Sequence, residues 1–494
     1  MSFIRYRRPA FRVAASPRGG VPYTIMSMTR QLGLRVATCL AVSLGLLAGG
    51  AVGASADGLQ KIIVFQAGTS PQVQQQVVAQ SGSQVLSTLP LINGVAIKLP
   101  TQDAAHALAL LQVDPRVTGI YEDLTISGQD GGGDNVIVIT PADPPPQEMY
   151  PWGLEAIRVP EVHAEAPGLK GAGVAIAILD TGIDTNHPDL SKNIKGGYNA
   201  IAGQNPQNYQ DDNGHGTHMA GIIAGRMNRL GVIGVAYQAK IVAVKVLDQY
   251  GAGRLSDLIN GLGWIRANKI RVVNMSLGFS EGSPLLEQAI ERLYEAGIVM
   301  VASVGNGGNL CAHDGGGDDG GGDDGGGDDG GGDDGGGDDG GGDDGGGDDG
   351  CAPSQSGVNY PARYTDCIAV GATRFDGKRA TYSTYGTGLD VVAPGGQTNV
   401  DQNGDGYGDG ILQQTFASGS PTSFGYYFFQ GTSMATPHVA AIAALVRSVR
   451  PGYTRAQVRA AIESTCRDLG KAGYDTTFGN GLVNALGAVT AVVP

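Results

Sequence analysis

From residue 150 onward, short continuous apolar runs alternate with segments of helical periodicity. The run from Val174 to Leu179 contains no polar residue, which is typical of a strand buried on both faces of a sheet. After Ser283 and Pro284, apolar residues recur at helical spacing until Gly297. This alternation predicts an α/β fold, a doubly wound and mostly parallel sheet covered by helices. Further strands are predicted at 241–247, 272–277, 298–303 and 367–370, and further helices at 256–268, 439–449 and 455–465.

Residues 57–127 carry a shorter pattern that predicts a separate small domain. Two strand-like runs at 85–91 and 95–99 flank Asn93-Gly94, a strong hairpin turn signal. Thr101 is positioned to cap a helix over 104–111. With strands at 61–65 and 117–121 and a helix at 71–80, the order β-α-β-β-α-β predicts a ferredoxin-like α+β domain.

The first 56 residues predict an export signal. They contain seven Arg and no acidic residue, and an apolar run leads to the A-x-A sequence Ala54-Ser55-Ala56. A transmembrane anchor is the alternative, which we favour less because glycines interrupt the run. Met28 lies at the natural distance for the true start, so residues 1–27 are either a misassigned upstream start or a long charged region. We therefore expect a secreted, extracellular protein without membrane contact after signal removal.

Residues 128–149 are predicted to form an exposed linker, because they are rich in Gly, Asp and Pro and include Pro144-Pro145-Pro146. The α/β pattern then occupies residues 150–494. It is interrupted by an insert at 314–350 that contains seven copies of Gly-Gly-Gly-Asp-Asp. The insert has no apolar residue that could stabilise an ordered structure, so we expect a solvated loop.

The insert also explains the charge of the chain. The net charge is −14, but the insert contains 15 Asp, so the rest of the chain sums to +1. This near-neutral balance argues against a nucleic-acid partner and against a uniformly acidic surface. One hypothesis is that the insert attracts cationic substrates at low salt. The alternative, which we prefer at this point, is a neutral expansion of a tandem repeat.

Four cysteines remain once Cys39 leaves with the signal. An even number in an exported protein favours disulfides over metal or redox use. Cys311 and Cys351 bracket the insert, so we favour that pair, which would close the insert at its base. Four free thiols, including Cys367 and Cys466, are the alternative.

Three segments carry a carboxylate, an imidazole and a hydroxyl in revealing contexts. Asp180 ends the apolar run in Ala-Ile-Leu-Asp-Thr-Gly, His215 lies in Asn-Gly-His-Gly-Thr-His, and Ser433 lies in Gly-Thr-Ser-Met-Ala-Thr-Pro. A serine hydroxyl needs an adjacent base to become a nucleophile, and imidazole can accept and return its proton. A carboxylate fixes the imidazole tautomer. Each motif alone has an ordinary structural explanation, but the three together predict nucleophilic catalysis.

These motifs resemble those of the subtilisin-like serine endopeptidases, and the similarity extends over residues 150–488. It implies hydrolysis of polypeptide substrates with Asp180, His215 and Ser433 as the triad. Asn306, in Ser-Val-Gly-Asn, matches the side chain that donates to the oxyanion in this family. The resemblance further assigns Gly251, Ala252 and Gly253 to one substrate-binding edge and Ser276, Leu277 and Gly278 to the other. His187, His218 and His438 match histidines that are not catalytic.

The resemblance also gives residues 57–127 a role. They are similar to the family's inhibitory propeptide, which assists folding and is removed by self-cleavage. The cut is then expected within the linker at 128–149. The chain would therefore be its own intramolecular inhibitor until it matures.

A calcium loop is predicted near residue 401. Oxygen-bearing side chains occupy positions 1, 3, 5 and 9 of the pattern, Tyr407 would add a carbonyl, and Leu412 replaces the acid expected at position 12. A metal-free turn is the alternative. By resemblance alone, Glu148, Asp189 and Asn228 match ligands of a second calcium site. The side chains of the first loop are Asp401, Asn403, Asp405 and Asp409.

Taken together, the sequence predicts a secreted, calcium-stabilised serine endopeptidase that is made as a self-processed precursor and is expected to be a monomer. The alternative from a different class is a non-enzymatic, calcium-dependent binding protein on a decayed protease fold. The intact set of Asp180, His215, Ser433 and Asn306 argues against decay.

Overall fold

The structure, a computed structural model, describes residues 59–128, 137–139, 148–165, 169–308, 357–416 and 421–493. These residues belong to one compact unit, Ala54–Pro494. The predicted signal region, the insert at 314–350, and Cys311 and Cys351 lie outside the described residues. Within the described ranges, no helix combines the length and the apolar character needed to cross a membrane.

The N-terminal part has the predicted ferredoxin-like order. Its sheet is antiparallel in the order β2-β3-β1-β4, and both helices pack on it around Val78 and Leu111. The elements are β1 (Gln60–Phe65), α1 (Pro71–Gln80), β2 (Gln84–Leu89), β3 (Gly94–Lys98), α2 (Ala104–Val113) and β4 (Val117–Glu122).

Two details of this domain differ from the prediction. Strand β2 ends at Leu89 instead of residue 91, because Pro90–Ile92 form a short 3-10 helix and Asn93 then adopts a left-handed conformation (φ 53°). The prediction that Thr101 caps α2 is wrong, since Asp103 occupies the N-cap and makes no side-chain capping bond. Pro90 has no backbone N–H to continue the strand, and before α2 several neighbouring polar residues compete for the N-cap.

The larger, C-terminal part of the structure is built on a seven-stranded sheet. Every neighbouring pair of strands in this sheet is parallel. This confirms the predicted α/β class. Beyond the first four strands, the strands of the chain are β5 (Thr125–Gly128), β6 (Ile137–Ile139), β7 (Ala175–Asp180), β8 (Ile194–Asn199), β9 (Lys240–Lys245), β10 (Ala252–Arg254), β11 (Val272–Met275), β12 (Leu277–Gly278), β13 (Val299–Ser303), β14 (Cys367–Thr373), β15 (Val391–Pro394), β16 (Ile411–Phe416) and β17 (Phe424–Phe429). The large sheet has the order β15-β14-β13-β11-β7-β9-β8.

Helices pack on this sheet, and two of them matter most for the site. Helix α8 contacts β11, β13, β14 and β15, and it also packs against α5. It begins at Thr432, seven residues before the predicted start at 439, so Ser433 lies in its first turn. The helices are α3 (Trp152–Ala156), α4 (Val159–Glu165), α5 (His215–Ala224), α6 (Leu255–Ala267), α7 (Pro284–Glu295), α8 (Thr432–Val449), α9 (Arg455–Glu463) and α10 (Ala485–Thr490).

Two small sheets join the N-terminal part to the rest. Strand β5 lies between β10 and β12, and strand β6 adds to the hairpin of β16 and β17. The predicted linker at 128–149 therefore contains the end of β5 and all of β6. At the same interface, the Asp123 carboxylate accepts hydrogen bonds from the backbone N–H (2.9 Å) and hydroxyl (2.7 Å) of Ser256, at the start of α6.

The two described cysteines are free thiols. Cys367 is buried and Cys466 is partly buried, and the thiol of Cys466 donates to the carbonyl of Ile462 at 3.3 Å. Burial raises the pKa of Cys466 to about 12, and it raises the pKa of Cys367 as well. The preferred pair, Cys311 with Cys351, lies outside the described residues and stays a prediction.

Candidate active site

Asp180 and His215 form a buried pair at the carboxyl edge of the large sheet. Asp180 is the last residue of β7, and His215 is the first residue of α5. Nδ1 of His215 lies 2.7 Å from Oδ1 of Asp180, and the N–H of Thr181 donates to the same oxygen at 2.7 Å. A carboxylate in this position holds the proton on Nδ1, so Nε2 is the nitrogen available as a base.

Two glycines make this approach of helix and strand possible. Gly214 precedes His215 with φ of +111°, a conformation that a side chain disfavours. A Cβ on Gly216 would lie only 2.1 Å from the carbonyl oxygen of Gly182. The glycines beside His215 are therefore needed for the turn and for the close contact with β7.

Asp211, which the sequence analysis missed, organises the loop before His215. It is fully buried, and its carboxylate accepts from the backbone of Asn213, Gly214 and Thr217 and from the hydroxyls of Thr181 and Thr217, at 2.6–3.0 Å. These bonds tie the loop of His215 to the end of β7. The only signal in the sequence is an Asp a few residues before a glycine-rich turn, which is too common to be specific.

Lys245 is a second residue that the sequence analysis missed. Its side chain is 2% exposed, and its ammonium donates to the carbonyls of Thr181 and Leu247 and to the carboxylate of Asp212 (2.7 Å). Because Thr181 follows Asp180, this contact fixes the chain beside the carboxylate. Lys245 ends strand β9, so its reach follows from the parallel pairing of β9 with β7.

Ser433 lies in the first turn of α8, and proline helps to define its surroundings. Pro437 has no N–H to donate to the carbonyl of Ser433 four residues earlier. That carbonyl instead accepts the hydroxyl of Ser276 at 2.8 Å, while the Ser433 hydroxyl donates to the carbonyl of Ser276 at 3.4 Å. The N-terminus of α8 also directs backbone N–H groups toward this point.

Asn306 lies next to the same helix terminus. Its side-chain oxygen accepts from the N–H (2.8 Å) and the hydroxyl (3.0 Å) of Thr432. The oxygen is held by these two donors, so the amide nitrogen is the end that can donate elsewhere. A donor in this position suits a developing negative charge beside Ser433.

The other buried histidines have different environments. Burial lowers the pKa of His218 to about 3 and the pKa values of His187 and His438 to about 4. His218 stacks on Phe429 with ring centroids 4.3 Å apart, and His438 contacts the carbonyl of Met434 at 2.8 Å. Burial therefore favours the neutral form of all three rings, and the expectation that they are not catalytic stays a prediction.

The predicted substrate-binding strands hold a segment of the chain itself. Ser127 of β5 faces Ala252 on one side and Gly278 on the other, and Gly128 faces Leu277. The N–H of Gly128 donates to the carbonyl of Gly251 at 2.8 Å, and Gly253 faces Ile126, which is buried. An extended peptide thus pairs with both edges, and its last described pair, Gly128 with Leu277, is next to Ser276 in the chain.

The structure also brings together Glu148, Asp189 and Asn228. The amide nitrogen of Asn228 lies 2.6 Å from Oδ1 of Asp189, and the Glu148 carboxylate accepts from the backbone N–H groups of Asn228 and Arg229 (2.9 Å for Arg229). Burial raises the pKa of Asp189 to about 7. Three oxygen-bearing side chains therefore converge, although Asn228 must reverse its amide to present oxygen to a cation.

The Asp401 loop is exposed except for one residue. Asp401, Asn403 and Asp405 accept hydrogen bonds from backbone N–H groups of the loop itself, and Tyr407 is also exposed. Asp409 is buried, and its Oδ1 has no hydrogen-bond partner within the described residues. Across those residues, no group of three or more His, Cys, Asp or Glu side chains is arranged to hold a metal. Asparagine and carbonyl ligands would have to complete either site.

A parallel α/β sheet with a buried carboxylate–imidazole pair and a helix-terminal serine is the framework of a serine hydrolase. The family model described as "Subtilase family" matches residues 171–481. Over 416 residues, the chain is 34% identical to Subtilisin NAT of Bacillus subtilis subsp. natto. The aligned region covers 84% of this chain and 85% of that protein.

Two further relatives agree. Subtilisin of Bacillus pumilus is 37% identical over 342 residues, 69% of this chain and 99% of the relative. M-protease of Shouchella clausii (strain KSM-K16) is 34% identical over 398 residues, 81% of this chain and 79% of the relative. The chain therefore belongs to the subtilase family and is a subtilisin-like serine endopeptidase.

Proposed function

We propose that Asp180, His215 and Ser433 are the catalytic residues of this endopeptidase, and that it is secreted as a precursor which cleaves itself. The observation that carries the proposal is strand β5, a polypeptide segment paired on both sides, with β10 and with β12. Polypeptides are thereby the natural substrate class, bound by the addition of a strand between β10 and β12.

The reaction is the one that a carboxylate, an imidazole and a serine hydroxyl perform together. Nε2 of His215 removes the proton from the Ser433 hydroxyl as the serine oxygen attacks the scissile carbonyl carbon. The proton then passes to the departing amine, which leaves an acyl-enzyme. Water repeats the two steps in the second half and releases the acid. Asp180 stabilises the imidazolium throughout, at 2.7 Å from Nδ1.

The negative oxygen that forms during attack is met by the Asn306 amide nitrogen and the backbone N–H of Ser433. Thr432 supports this role because its two donors hold the oxygen end of Asn306 away from the substrate. Both donors are in place before the substrate binds, so little reorganisation accompanies the reaction.

The register of β5 supports a proposal for the maturation cut. Gly278 pairs with Ser127 and Leu277 with Gly128, the last described residue of β5, and Ser276 directly precedes Leu277 in the chain. The carbonyl of Ser276 accepts from the Ser433 hydroxyl. We therefore place the cut at the bond after Gln129, or at the latest before β6 begins at Ile137. Residues 57–127 would remain as the inhibitory propeptide until they dissociate.

Calcium would be held at two places if it stabilises the fold. Glu148, Asp189 and Asn228 converge, and a bound cation would compensate for the burial of the Asp189 charge. The Asp401 loop offers Asp409, whose buried Oδ1 lacks a described partner. Calcium would supply structural stability at these sites and no part of the reaction.

The test is casein hydrolysis by the secreted protein, with and without a serine-reactive inhibitor. We expect clearing to disappear as the inhibitor adds its mass to the peptide that contains Ser433. The Ser433→Ala variant should neither clear casein nor take up the inhibitor. Full hydrolysis of casein by that variant would contradict the proposal that Ser433 is the nucleophile. The decayed, calcium-dependent binding protein is not favoured, because the chain belongs to the subtilase family and is 34% identical to Subtilisin NAT over most of its length.

A further inference from the structure

A broad cavity of about 970 Å³ opens at the amino edge of the large sheet, the edge opposite Asp180 and Lys245. Val174 and Ala175 at the start of β7, and Gly297 just before β13, contribute to its wall. Among the described residues, five basic side chains line the cavity and no acidic one does. The basic residues are Lys195, Lys269, Arg271, Arg447 and Arg455.

These five cations lack the partners that basic groups usually have. Within the described ranges, none of them forms an ion pair with a carboxylate. Asp366 faces Arg455 from a smaller neighbouring cavity without reaching ion-pair distance. Arg455 instead lies over the ring of Tyr294, 3.5 Å from its centroid.

Arg447 is the most constrained of the group. It is 7% exposed, and it donates to the carbonyls of Gly297 (2.9 Å) and Tyr453 (3.3 Å), while its buried Nε has no hydrogen-bond partner in the described part of the chain. Arg271 lies beside it, since its Nη1 is 3.2 Å from the point that a Cβ on Gly297 would occupy. Two guanidinium groups that share one wall repel each other unless an anion lies between them.

We propose that this basic cavity binds a carboxylate-rich polyanion, and that its occupant is the aspartate repeat of the same chain, residues 314–350. The repeat supplies 15 Asp and no basic residue, and the rest of the chain has almost no net charge with which to balance it. Its other residues are glycines, so no bulky side chain opposes entry into the cavity. Arginine forks match carboxylates in geometry as well as in charge.

The chain is long enough for this contact. Gly297 lines the cavity, and Gly308, the last described residue before the insert, follows only eleven positions later, so the two are at most roughly 38 Å apart. The description resumes at Gly357. From either side, about 24 residues lead to the middle of the repeat and can span about 80 Å. A tethered segment of this length has an effective concentration near the millimolar range.

Trp264 gives a direct readout, because it lines the cavity and stacks on Tyr198 with ring centroids 5.4 Å apart. The chain has two Trp, so Trp152→Phe leaves Trp264 as the sole reporter. The protein is the full chain with Ser433→Ala, which prevents self-digestion. The probe is inorganic tripolyphosphate, titrated at about 20 mM and 300 mM NaCl, with binding followed by Trp264 fluorescence.

We expect the variant that lacks residues 314–350 to bind tripolyphosphate at low salt at least tenfold more tightly than the full chain, because the repeat no longer competes. Replacing the 15 Asp of the repeat by Asn at unchanged length should give the same gain. High salt should abolish the difference. The triple variant Lys195→Gln, Lys269→Gln, Arg271→Gln should lose binding in both backgrounds.

A matched triple variant, Lys98→Gln, Lys378→Gln, Lys471→Gln, removes the same charge from exposed positions outside the cavity and should leave binding intact. Equal affinity of the full chain and the deletion variant would show that the repeat is not the occupant. Absence of binding to either protein at low salt would overturn the anion site itself. An equal loss in both triple variants would reduce the effect to general charge and would also overturn it.

Discussion

The two edges of the seven-stranded sheet treat charge in opposite ways. At the carboxyl edge, Asp180, Asp211 and Lys245 are buried, and each is held by donors or acceptors of the protein itself. At the amino edge, five cations share one cavity, and the described residues provide no carboxylate for them. The first arrangement is complete before a substrate arrives, as catalysis requires, whereas the second is complete only with an anion.

The largest expected effect is on catalysis and comes from an asparagine at the carboxyl edge. An asparagine at the amino edge serves as its control. Asn306 lies beside Ser433, and Asn268 is an exposed residue of the basic cavity. Asn306→Ala should lower kcat with little change in KM, because its donor acts mainly on the transition state. The expected size, about 10²- to 10³-fold, is the one known for subtilisin, a member of the same family.

Asn268→Ala is the matched control and should leave both constants unchanged, as measured with a chromogenic peptide. If Asn306→Ala raised KM and left kcat alone, the residue would be a ground-state binding residue. The proposal that the carboxyl edge stabilises the transition state through Asn306 would then be contradicted.

A somewhat smaller effect, on stability, is expected at Asp211. Asp211→Ala leaves several buried donors without an acceptor, so the free energy of unfolding should fall by at least ~3 kcal/mol. Its neighbour Asp212 has a side chain that is 46% exposed and, within the described residues, contacts Lys245, which also donates to two carbonyls, so Asp212→Ala should cost less than Asp211→Ala. Urea unfolding of both variants in the Ser433→Ala background measures the difference. Equal losses in the free energy of unfolding would mean that the hydrogen bonds of Asp211 contribute no more to stability than the contact of Asp212 with Lys245.

The two proposed calcium sites are the converse of the basic cavity, because there clustered oxygen ligands require a cation. Removal of calcium tests this requirement. Free calcium at a hundred times its Kd stabilises a fold by ~2.7 kcal/mol, so EDTA should lower Tm by several degrees. Asn228→Ala and Asp401→Asn should each remove a separate part of this shift, and magnesium should not restore it. If EDTA left the Tm of the unaltered protein unchanged, neither calcium site would stand.

The smallest effect is expected where the N-terminal domain meets α6. Burial, and to a lesser degree the nearby Asp123 carboxylate, raises the pKa of Asp257 to about 7. An acid with a raised folded-state pKa stabilises the fold below its unfolded pKa, about 4, and loses that contribution as pH rises to about 7. Asp257 should therefore contribute less stability to the precursor at pH 8 than at pH 5.

Asp257→Asn should flatten this pH dependence, and Asp248→Asn, at a more exposed position, serves as the control. The measurement is the urea midpoint of the Ser433→Ala precursor at both pH values. An unchanged slope in Asp257→Asn would assign the pH dependence to other groups.

The sequence predicted what is local and repeated along the chain. Buried strands such as β7 and the glycine-flanked segments around Asp180, His215 and Ser433 carry their signal within a few residues. Asp211 and Lys245 were missed because their importance lies in partners 30 to 64 positions away, such as Thr181. Strand β5 was not predicted, and strand β6 was assigned to a linker, because their pairing partners, including Ala252 and Tyr426, are distant in sequence.

The basic cavity illustrates the same limit. Its basic residues range from Lys195 to Arg455, and no window of the sequence contains enough of them to stand out. The acidic repeat is evident from the sequence, but the sequence does not show which basic residues lie together and could bind it. Only the fold places these cations on one surface.

The central claim is that Ser433 cuts the chain segment that β5 delivers to it. The most direct measurement is N-terminal sequencing of the secreted protein beside its Ser433→Ala variant. The account predicts that the unaltered protein begins at Asp130, or at least between residues 130 and 137, whereas the variant retains residues 57–128. The same processed N-terminus in both proteins would contradict the claim, because another protease would then be making the cut.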